Sequence, residues 1–217
     1  MKGRVTQTDI VYNYVTQKIS AGELHPDQKI NEVEICNDLD VSRTPVREAL
    51  IILSSEGILK RSMHKGFSVN PLTEKSAEEL YTIMGALDGL AASLACDNIT
   101  ESTLEEMDFT TQVIDLALKN RNEKMYYKEQ ERFHDYYIDL CGNDMLADMI
   151  HSLRRKLVKR RYDMDTEDMW YQVMSRTNED HKEMLTLFRN HDKQGLRDLL
   201  ENRHWLSSKA IWESFCN

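Results

Sequence analysis

All three prolines of this 217-residue chain lie within its first 71 positions, and none occurs from position 72 to the last residue. Because proline breaks helices and central strands, the first part is predicted to contain short elements and the rest long helices. Glycine is also scarce, with 8 residues in the whole chain, which disfavours an all-β fold and a glycine-rich nucleotide-binding fold. The sequence therefore predicts a mainly α-helical protein with a boundary near Pro71.

The distribution of charge changes at the same boundary. The chain has 28 Lys and Arg against 37 Asp and Glu, a net charge of -9 that, taken as a whole, should repel nucleic acid. Residues 1–72 carry 9 basic and 9 acidic side chains, whereas residues 73–217 carry 19 basic and 28 acidic ones. The acidity belongs to the second part, so nucleic-acid binding by the neutral first part would rest on local positive charge.

The sequence does not show the features of a membrane or secreted protein. No stretch approaches the roughly 20 consecutive apolar residues that a membrane span requires. The first ten residues lack the apolar segment of a secretory signal. The cysteines, at positions 36, 96, 141 and 216, form no closely spaced pair, which predicts reduced thiols. We therefore expect a cytoplasmic protein.

Three helices and a β-hairpin are predicted within residues 7–70. The first helix ends before Gly22, the second is capped by Asn31, and the third is capped by Ser42 or Thr44. Short strands are predicted at residues 58–61 and 67–69. Apolar residues recur at helical spacing in the first helix, at Ile10, Val11, Tyr14, Val15 and Ile19. The third helix is predicted to face inward through one stripe, formed by Val46, Ala49, Leu50 and Leu53.

This order of elements is the layout of a winged helix-turn-helix, whose third helix places its N-terminal turn in the major groove of DNA. Arginine suits bidentate contact with guanine or phosphate, and Arg43 and Arg47 lie four residues apart on one face. In the alternative, both arginines are ordinary surface charges of a small helical domain. The residues predicted to contact DNA are Ser42, Arg43, Thr44 and Arg47 of the helix and His64 and Lys65 of the hairpin tip.

Several segments of the first part resemble a known family. SRTPVREAL, SSEGIL and HKGFSV, preceded by ISAGELHPDQKINEVEI, are similar to the DNA-binding domain of GntR-family bacterial transcription regulators. The resemblance implies a homodimer on a palindromic operator, and most often a repressor. It also implies that Arg43, Arg47 and the wing glycine Gly66 lie at the DNA. Asp27 departs from the pattern, because glycine usually follows this proline, but aspartate tolerates turn conformations.

From residue 73 onward the spacing of apolar residues is helical almost throughout. Ser76 and Glu79 fit a capping box at the start of the first of these helices. Further helices are predicted at residues 101–119, 122–141, 144–162, 166–190 and 193–214. We therefore predict a winged helix-turn-helix domain at residues 1–72, followed at residues 73–217 by an all-α antiparallel bundle. The family resemblance implies that this bundle serves effector binding and dimerisation.

The helical second part resembles the FCD domain of the FadR-like GntR subgroup, many members of which bind a metal ion inside the bundle. QERFHDYY, NEDHKEML and NRHWLSS place His134, His181 and His204 at the three histidine positions of that pattern. Three imidazoles can hold a divalent ion such as zinc, nickel or manganese. Gln130 stands at the usual aspartate position, so the site either lacks a carboxylate ligand, uses a neighbouring one such as Glu131, or binds metal less tightly. In the alternative, the three histidines bind no metal.

Two further features bear on the effector. Met84 stands where the subgroup usually has an arginine that is thought to hold small organic acids. Two interpretations follow: the effector is less charged, or Met84 only fills the core. The basic run from Arg154 to Arg161 spreads around its helix, which predicts a solvated face with acidic neighbours. In the alternative, one of these arginines faces inward and meets an anionic effector.

Three functions are compatible with the sequence. The first is a ligand-responsive transcription regulator that binds double-stranded operator DNA and a small effector, such as an organic acid. The second is a metal-dependent enzyme in which the three histidines activate water. The third is a protein whose two parts only make partner contacts. The SRTPVREAL segment and the lack of a positioned acidic base favour the regulator, which would not be an enzyme.

Overall fold

The computed structural model describes residues 5–62, 66–71, 73–156 and 167–206. The N-terminal unit contains α1 (Gln7–Ser20), α2 (Glu32–Leu39) and α3 (Arg43–Ser55), followed by the antiparallel strands β1 (Leu59–Ser62) and β2 (Gly66–Val69). The predicted order of three helices and a hairpin is confirmed. This is the layout of a winged helix-turn-helix.

The core of the N-terminal unit is apolar and draws one stripe of side chains from each helix. α1 packs through Val11, Val15 and Ile19, which are spaced four residues apart and fully buried. Ile10, which belongs to the same helical spacing of apolar residues, lies beside the stripe and is 43% exposed. α3 packs through the four predicted residues, which are all fully buried: Val46, Ala49, Leu50 and Leu53.

The hairpin is joined to the segment that precedes α2. β1 and β2 pair in a register that places Leu59 opposite Val69. Asp27 has a φ angle of 65°, in the left-handed region that favours glycine, and its N–H donates to the Val69 carbonyl at 2.9 Å. Its carboxylate forms an ion pair with Lys60. The turn therefore keeps its shape although aspartate replaces the usual glycine.

The helix caps match the sequence in one case and differ in another. Asn31 caps α2 as predicted, since its Oδ1 accepts the N–H groups of Val33 and Glu34 at 3.2 and 3.3 Å. The prediction of a capping box that starts at Ser76 is wrong. Thr73 is the cap instead, because its Oγ1 accepts the N–H of Ser76 at 3.1 Å and the helix begins one residue after Thr73.

The second part is an all-α bundle with six helices among the described residues, as predicted. They are α4 (Glu74–Ala95), α5 (Glu101–Lys119), α6 (Glu123–Ile138), α7 (Asp144–Lys156), α8 (Glu167–Arg189) and α9 (Lys193–Leu199). A π-helical segment (Leu200–His204) continues α9, where a single long helix was predicted. The bounds of α5 are the predicted ones. The predicted helical residues 157–162, 166 and 207–214 lie outside the described residues.

α4 and the C-terminal segment cross at close range because α4 carries two glycines at the crossing. A Cβ atom on Gly85 would lie 3.1 Å from the Cα of Glu201 and 3.2 Å from the Cβ of Trp205. A Cβ atom on Gly89 would lie 3.3 Å from the Cα of Arg197. Any larger residue at Gly85 would push the π-helical segment outward, so this glycine sets how closely the end of the chain approaches α4.

The two parts of the chain touch at the end of α3. Glu56 caps this helix, and its Oε1 accepts a hydrogen bond from Nε of Arg155 in α7 at 2.7 Å. The other oxygen, Oε2, accepts from the Tyr12 hydroxyl at 2.7 Å. Burial and the bond to Glu56 raise the pKa of Tyr12 well above its usual value, so this hydroxyl stays protonated as a donor.

Two further expectations concern the chain as a whole. Among the described helices, none is long and apolar enough to cross a membrane. Cys36, Cys96 and Cys141 are free thiols, whereas Cys216 lies outside the described residues. Cys96 and Cys141 are buried in the apolar core of the bundle, where they act as small hydrophobic side chains.

Candidate functional site

Three histidines from separate elements meet in the interior of the bundle. His134 lies on α6, His181 lies on α8, and His204 ends the π-helical segment. Their exposed fractions are 2%, 0% and 2%. The Nε2 atom of His134 lies 3.3 Å from Nε2 of His181 and 3.1 Å from Nε2 of His204. The chain thus brings together the three residues that the sequence pattern singled out.

The far side of the His134 ring is held by a buried carboxylate. Its Nδ1 donates to Oδ2 of Asp88 at 2.9 Å and also contacts the Tyr137 hydroxyl at 2.5 Å. Asp88 is fully buried on α4, and the same oxygen accepts from the indole N–H of Trp205 at 2.6 Å. Burial would raise the pKa of Asp88, but the charge and hydrogen bond of His134 lower it to about 2. The acceptor oxygen of Asp88 at 2.9 Å favours the form of His134 that carries a proton on Nδ1.

The far sides of the other two rings also face oxygen atoms. Nδ1 of His181 lies 3.1 Å from Oδ1 of Asn178. The amide nitrogen of Asn178 donates to the Thr111 carbonyl at 3.0 Å and to Asp115 at 2.7 Å, so its oxygen must be the atom that faces His181. Nδ1 of His204 lies 3.7 Å from Oδ2 of Asp180.

These contacts determine what the three Nε2 atoms can do. A histidine that donates through Nδ1 presents a lone pair at Nε2 when it is neutral, and this holds for His134 and His181. Lone pairs that converge at about 3 Å repel each other unless a cation lies between them. The three potential ligand atoms lie within 4.8 Å of one another. The donor set therefore fits a divalent transition-metal ion, with coordination positions left for other oxygen atoms.

The residues predicted to contact DNA lie on a second, exposed surface. Ser42, Arg43, Thr44 and Arg47 are all exposed at the start of α3, while the next apolar residues are buried. Ser42 is the N-cap residue but its side chain makes no capping hydrogen bond. The first turn of α3 contains no acidic residue, so its N–H groups and two arginines present positive charge to solvent.

The surroundings differ among the residues predicted to contact DNA. Nε of Arg47 lies 3.5 Å from Oε2 of Glu32, an ion pair that leaves the Arg47 side chain 64% exposed. Gly66 opens β2 with a φ angle of 79°, which explains why glycine is suited to this end of the hairpin. The predicted contacts His64 and Lys65 lie outside the described residues.

Comparison with protein families assigns both parts of the chain. Residues 79–204, more than half of the chain, match the FCD domain, and residues 7–69 match the bacterial regulatory proteins of the gntR family. The chain belongs to the GntR family and carries its FCD domain. It is therefore a DNA-binding transcription regulator and not an enzyme.

Individual relatives agree with this assignment. The uncharacterised HTH-type transcriptional regulator YdhC of Bacillus subtilis is 28% identical over 88% of this chain and 91% of that protein. A probable D-xylose utilization operon transcriptional repressor of Paenarthrobacter nicotinovorans is 30% identical over 66% of this chain and 64% of that protein. The solved structure of E. coli McbR/YncC has the same fold, with a TM-score of 0.78 and 22% identity, covering 99% of this chain and 100% of that one.

In this GntR-family regulator, Asp88 is the site residue that sequence reasoning missed. The signal was an acidic side chain in the buried stripe of α4, four residues after Met84 and three before Ala91, both fully buried. Glu131, which was considered as a replacement carboxylate, is exposed, and Gln130 is half-buried. Among the described residues, the group of possible metal ligands contains the three histidines and no carboxylate.

Met84 and the basic run that starts at Arg154, the two features that the sequence connects with the effector, lie in different environments. Met84 is fully buried in the main apolar core of the bundle, as a core methionine would be. The described part of the basic run does not form one solvated face. Arg154 turns inward with 15% of its side chain exposed, whereas Arg155 faces Glu56 of the N-terminal unit. Leu157 to Arg161 lie outside the described residues.

Proposed function

We propose that this protein is a cytoplasmic, homodimeric repressor that binds a palindromic operator and responds to a small effector in a metal-containing FCD bundle. The observation that carries the proposal is the presence in one chain of two prepared sites. One is the exposed start of α3 with Arg43 and Arg47, and the other is the buried cluster of three histidines. We assign the DNA-binding domain to residues 1–72 and the effector-binding and dimerisation domain to residues 73–217.

DNA binding would be local, because the chain as a whole is acidic. The net charge of -9 belongs to residues 73–217, while residues 1–72 are neutral. Ser42, Arg43, Thr44 and Arg47 would contact the major groove, and the hairpin tip with His64, Lys65 and Gly66 would contact the backbone or minor groove. The acidic bundle would be held away from the phosphates, which favours one orientation of the protein on the duplex.

The bundle would hold zinc, nickel or manganese through His134, His181 and His204. The proton positions support this, since Asp88 and Asn178 direct the lone pairs of two rings toward a common point. When it is bound, the ion supplies a Lewis-acidic position for an oxygen atom of the effector. Gln130 at the usual aspartate position leaves the ligand set neutral, and the charge of Asp88 acts through His134.

Effector binding would reach the DNA through the contact between the two parts. Arg155 of α7 bonds to Glu56, which caps α3, the helix that would enter the major groove. A shift of α7 on effector binding would therefore alter the position of α3 and the spacing of the two recognition helices in a dimer. Coupling of this kind is typically worth about 1–3 kcal/mol.

An electrophoretic mobility-shift assay tests the function. Duplexes from the DNA upstream of the protein's own gene, together with candidate palindromes selected from random DNA, are mixed with the wild-type protein. We expect specific binding that weakens about 30-fold or more in the double variant Arg43→Ala, Arg47→Ala, because each arginine contributes about 1–3 kcal/mol.

The matched control is Arg132→Ala, which removes an exposed arginine from α6 of the bundle and should leave operator affinity unchanged. The absence of any sequence-specific duplex for the wild type would refute the regulator proposal. Full affinity in the double variant would refute the assignment of α3 as the DNA-contacting helix.

A further inference from the structure

The two arginines that α3 exposes at its start differ in their surroundings. Nε of Arg47 lies 3.5 Å from Oε2 of Glu32, which belongs to α2. Arg43 forms no ion pair within the described part of the chain. The two side chains share one face of α3, but only the Arg47 side chain is held by a carboxylate.

The position of Glu32 is set by the start of α2. Asn31 caps this helix, and Glu32 is its first residue. The Glu32 side chain is 26% exposed, whereas the next two residues, Val33 and Glu34, are both classed as exposed along their whole length. Because the carboxylate belongs to the first turn of a capped helix and pairs with α3, it provides a fixed point for the guanidinium.

The ion pair occupies one side of the Arg47 guanidinium and leaves another available. A guanidinium carries five N–H donors in a planar fork. With Nε next to Glu32, the edge formed by Nη1 and Nη2 remains for other acceptors, and 64% of the side chain is exposed. Guanine presents two acceptors, O6 and N7, in the major groove. The pair with Glu32 is therefore compatible with a bidentate contact between Arg47 and guanine.

A carboxylate at this place opposes DNA binding in general. Its negative charge lies within ion-pair distance of a side chain that is proposed to enter the major groove, so it is brought near the phosphates. A largely solvated pair also contributes little to the stability of the fold. What Glu32 does provide is restriction of a long side chain before binding, which reduces the conformational entropy lost in one particular contact geometry.

We propose that Glu32 is a positioning residue that orients Arg47 for bidentate contact with one guanine in each operator half-site. This inference rests on the proposed function of α3 as the DNA-contacting helix. Glu32 contacts no base itself. Its charge lowers the affinity for DNA of any sequence, and its pair with Arg47 raises the preference for guanine at one base pair, so it favours selectivity over affinity.

Competition binding of the full-length protein to substituted operators tests the proposal. The duplex that the mobility-shift assay identifies is changed one base pair at a time in one half-site, and the ratio of affinities gives the base preference at each position. Arg47→Ala should lower the preference for guanine at one position by about 5- to 100-fold. Glu32→Gln should lower the preference at that same position about three- to fivefold and leave the other positions unchanged.

Glu34→Gln is the matched control, because it removes the same charge from an exposed side chain in the same turn of α2. Both glutamine variants should bind a non-operator duplex more tightly than the wild type at low salt, and this gain should shrink as salt is added. Only Glu32→Gln should alter the base preference at the Arg47 position. Wild-type base preference in Glu32→Gln, or an equal loss of preference in Glu34→Gln, overturns the proposal.

Glu32→Asp separates the charge from the position of the carboxylate. It keeps the negative charge but is one methylene group shorter, so it should bind non-operator DNA as weakly as the wild type and still show the reduced preference for guanine. Full wild-type preference in Glu32→Asp would show that charge alone is responsible, which contradicts a positioning role. Thermal unfolding of each variant should match that of the wild type, because both side chains of the pair lie at the surface.

The same measurements distinguish failure of this inference from failure of the proposed function. If the wild type binds no duplex sequence-specifically, the regulator proposal is refuted. If the wild type binds a specific operator and Arg47→Ala weakens binding equally at every substituted position, Arg47 contacts phosphate, and the role of Glu32 is refuted while the regulator proposal stands.

Discussion

The N-terminal unit exposes its candidate functional side chains to solvent, whereas the bundle buries them in its interior. In the N-terminal unit the described core is apolar, with Ser68 at 9% exposure as its one buried polar residue, and the arginines of α3 stand in solvent. In the bundle the three histidines and Asp88 are inside, with Asn178 and Asp180 beside them. In the N-terminal unit, the residues proposed to carry function are therefore separate from the residues that stabilise the fold. In the bundle, the proposed metal ligands are themselves part of the buried interior.

This difference has an energetic basis. An apolar core such as that of the N-terminal unit gains roughly 1.5–3 kcal/mol for each large side chain that it buries, and it depends on no bound group. A buried polar cluster costs free energy wherever one of its members lacks a partner. The stability of the bundle should therefore depend on a bound ion, and that of the N-terminal unit should not.

Metal removal should have the largest effect on stability. At a free zinc concentration about 1,000 times the Kd, bound ion stabilises the native state by about 4 kcal/mol, and a chelator should remove this contribution. We expect wild-type protein to show a lower melting temperature after dialysis against EDTA. His134→Ala, His181→Ala protein should contain almost no metal and should show no such difference.

The control for this prediction is His151→Ala, which removes a half-buried histidine of α7 that is not part of the cluster. Its metal content by elemental analysis should equal that of the wild type. Equal metal content in the double histidine variant would remove the basis for the contrast between the two units.

Truncation of the apolar core should have the next largest effect. Leu53→Ala removes a fully buried side chain of α3 and should lower the free energy of unfolding by about 3 kcal/mol, as measured by urea denaturation. Ile51→Ala, on the exposed side of the same helix, should change it by about 0.5 kcal/mol or less. Zinc content should stay at the wild-type level in both, and a loss of zinc in Leu53→Ala would show that the units are not independent.

Substitution at the proposed DNA-contacting surface should have the smallest effect on stability. Arg43→Ala, Arg47→Ala protein should unfold within about 0.5 kcal/mol of the wild type, because both side chains are exposed and the pair with Glu32 is solvated. A destabilisation larger than about 2 kcal/mol would mean that these arginines are structural, and the loss of operator binding could then not be assigned to DNA contact.

The same contrast explains how far the sequence could predict the molecule. In the N-terminal unit, proline positions, caps and one apolar stripe per helix led to the correct elements. They did so because the polar residues proposed to contact DNA are exposed and do not interrupt the apolar pattern of the core. The stripe of α3 from Val46 to Leu53 was predicted completely. Ile10, which follows the same apolar spacing, stands just beside its stripe. The wrong cap lies at the start of the bundle, where Thr73 takes the capping role expected of Ser76.

In the bundle, sequence patterns found the histidines but not the groups that orient them. Asp88 belongs to α4 and reaches His134 across 46 positions in the chain, a contact that no local spacing encodes. The inward direction of Arg154 was one of several alternatives for a basic run, and only the packing of α7 selects it. The π-helical segment was predicted as part of a regular helix, because apolar periodicity does not record a change of pitch within five residues.

Because of this change of pitch, the buried cluster depends on the number of residues in the last helical segment. In a regular α-helix, consecutive side chains point about 100° apart, so two neighbours rarely meet the same small cluster. Here His204 reaches His134 and the next residue, Trp205, reaches Asp88, because the preceding turn takes in one residue more than an α turn. Deleting one residue between Leu199 and His204 would keep every side chain of the cluster in the sequence and still separate them in space. A relative can therefore share all of these residues and lack the site if its last helix is one residue shorter.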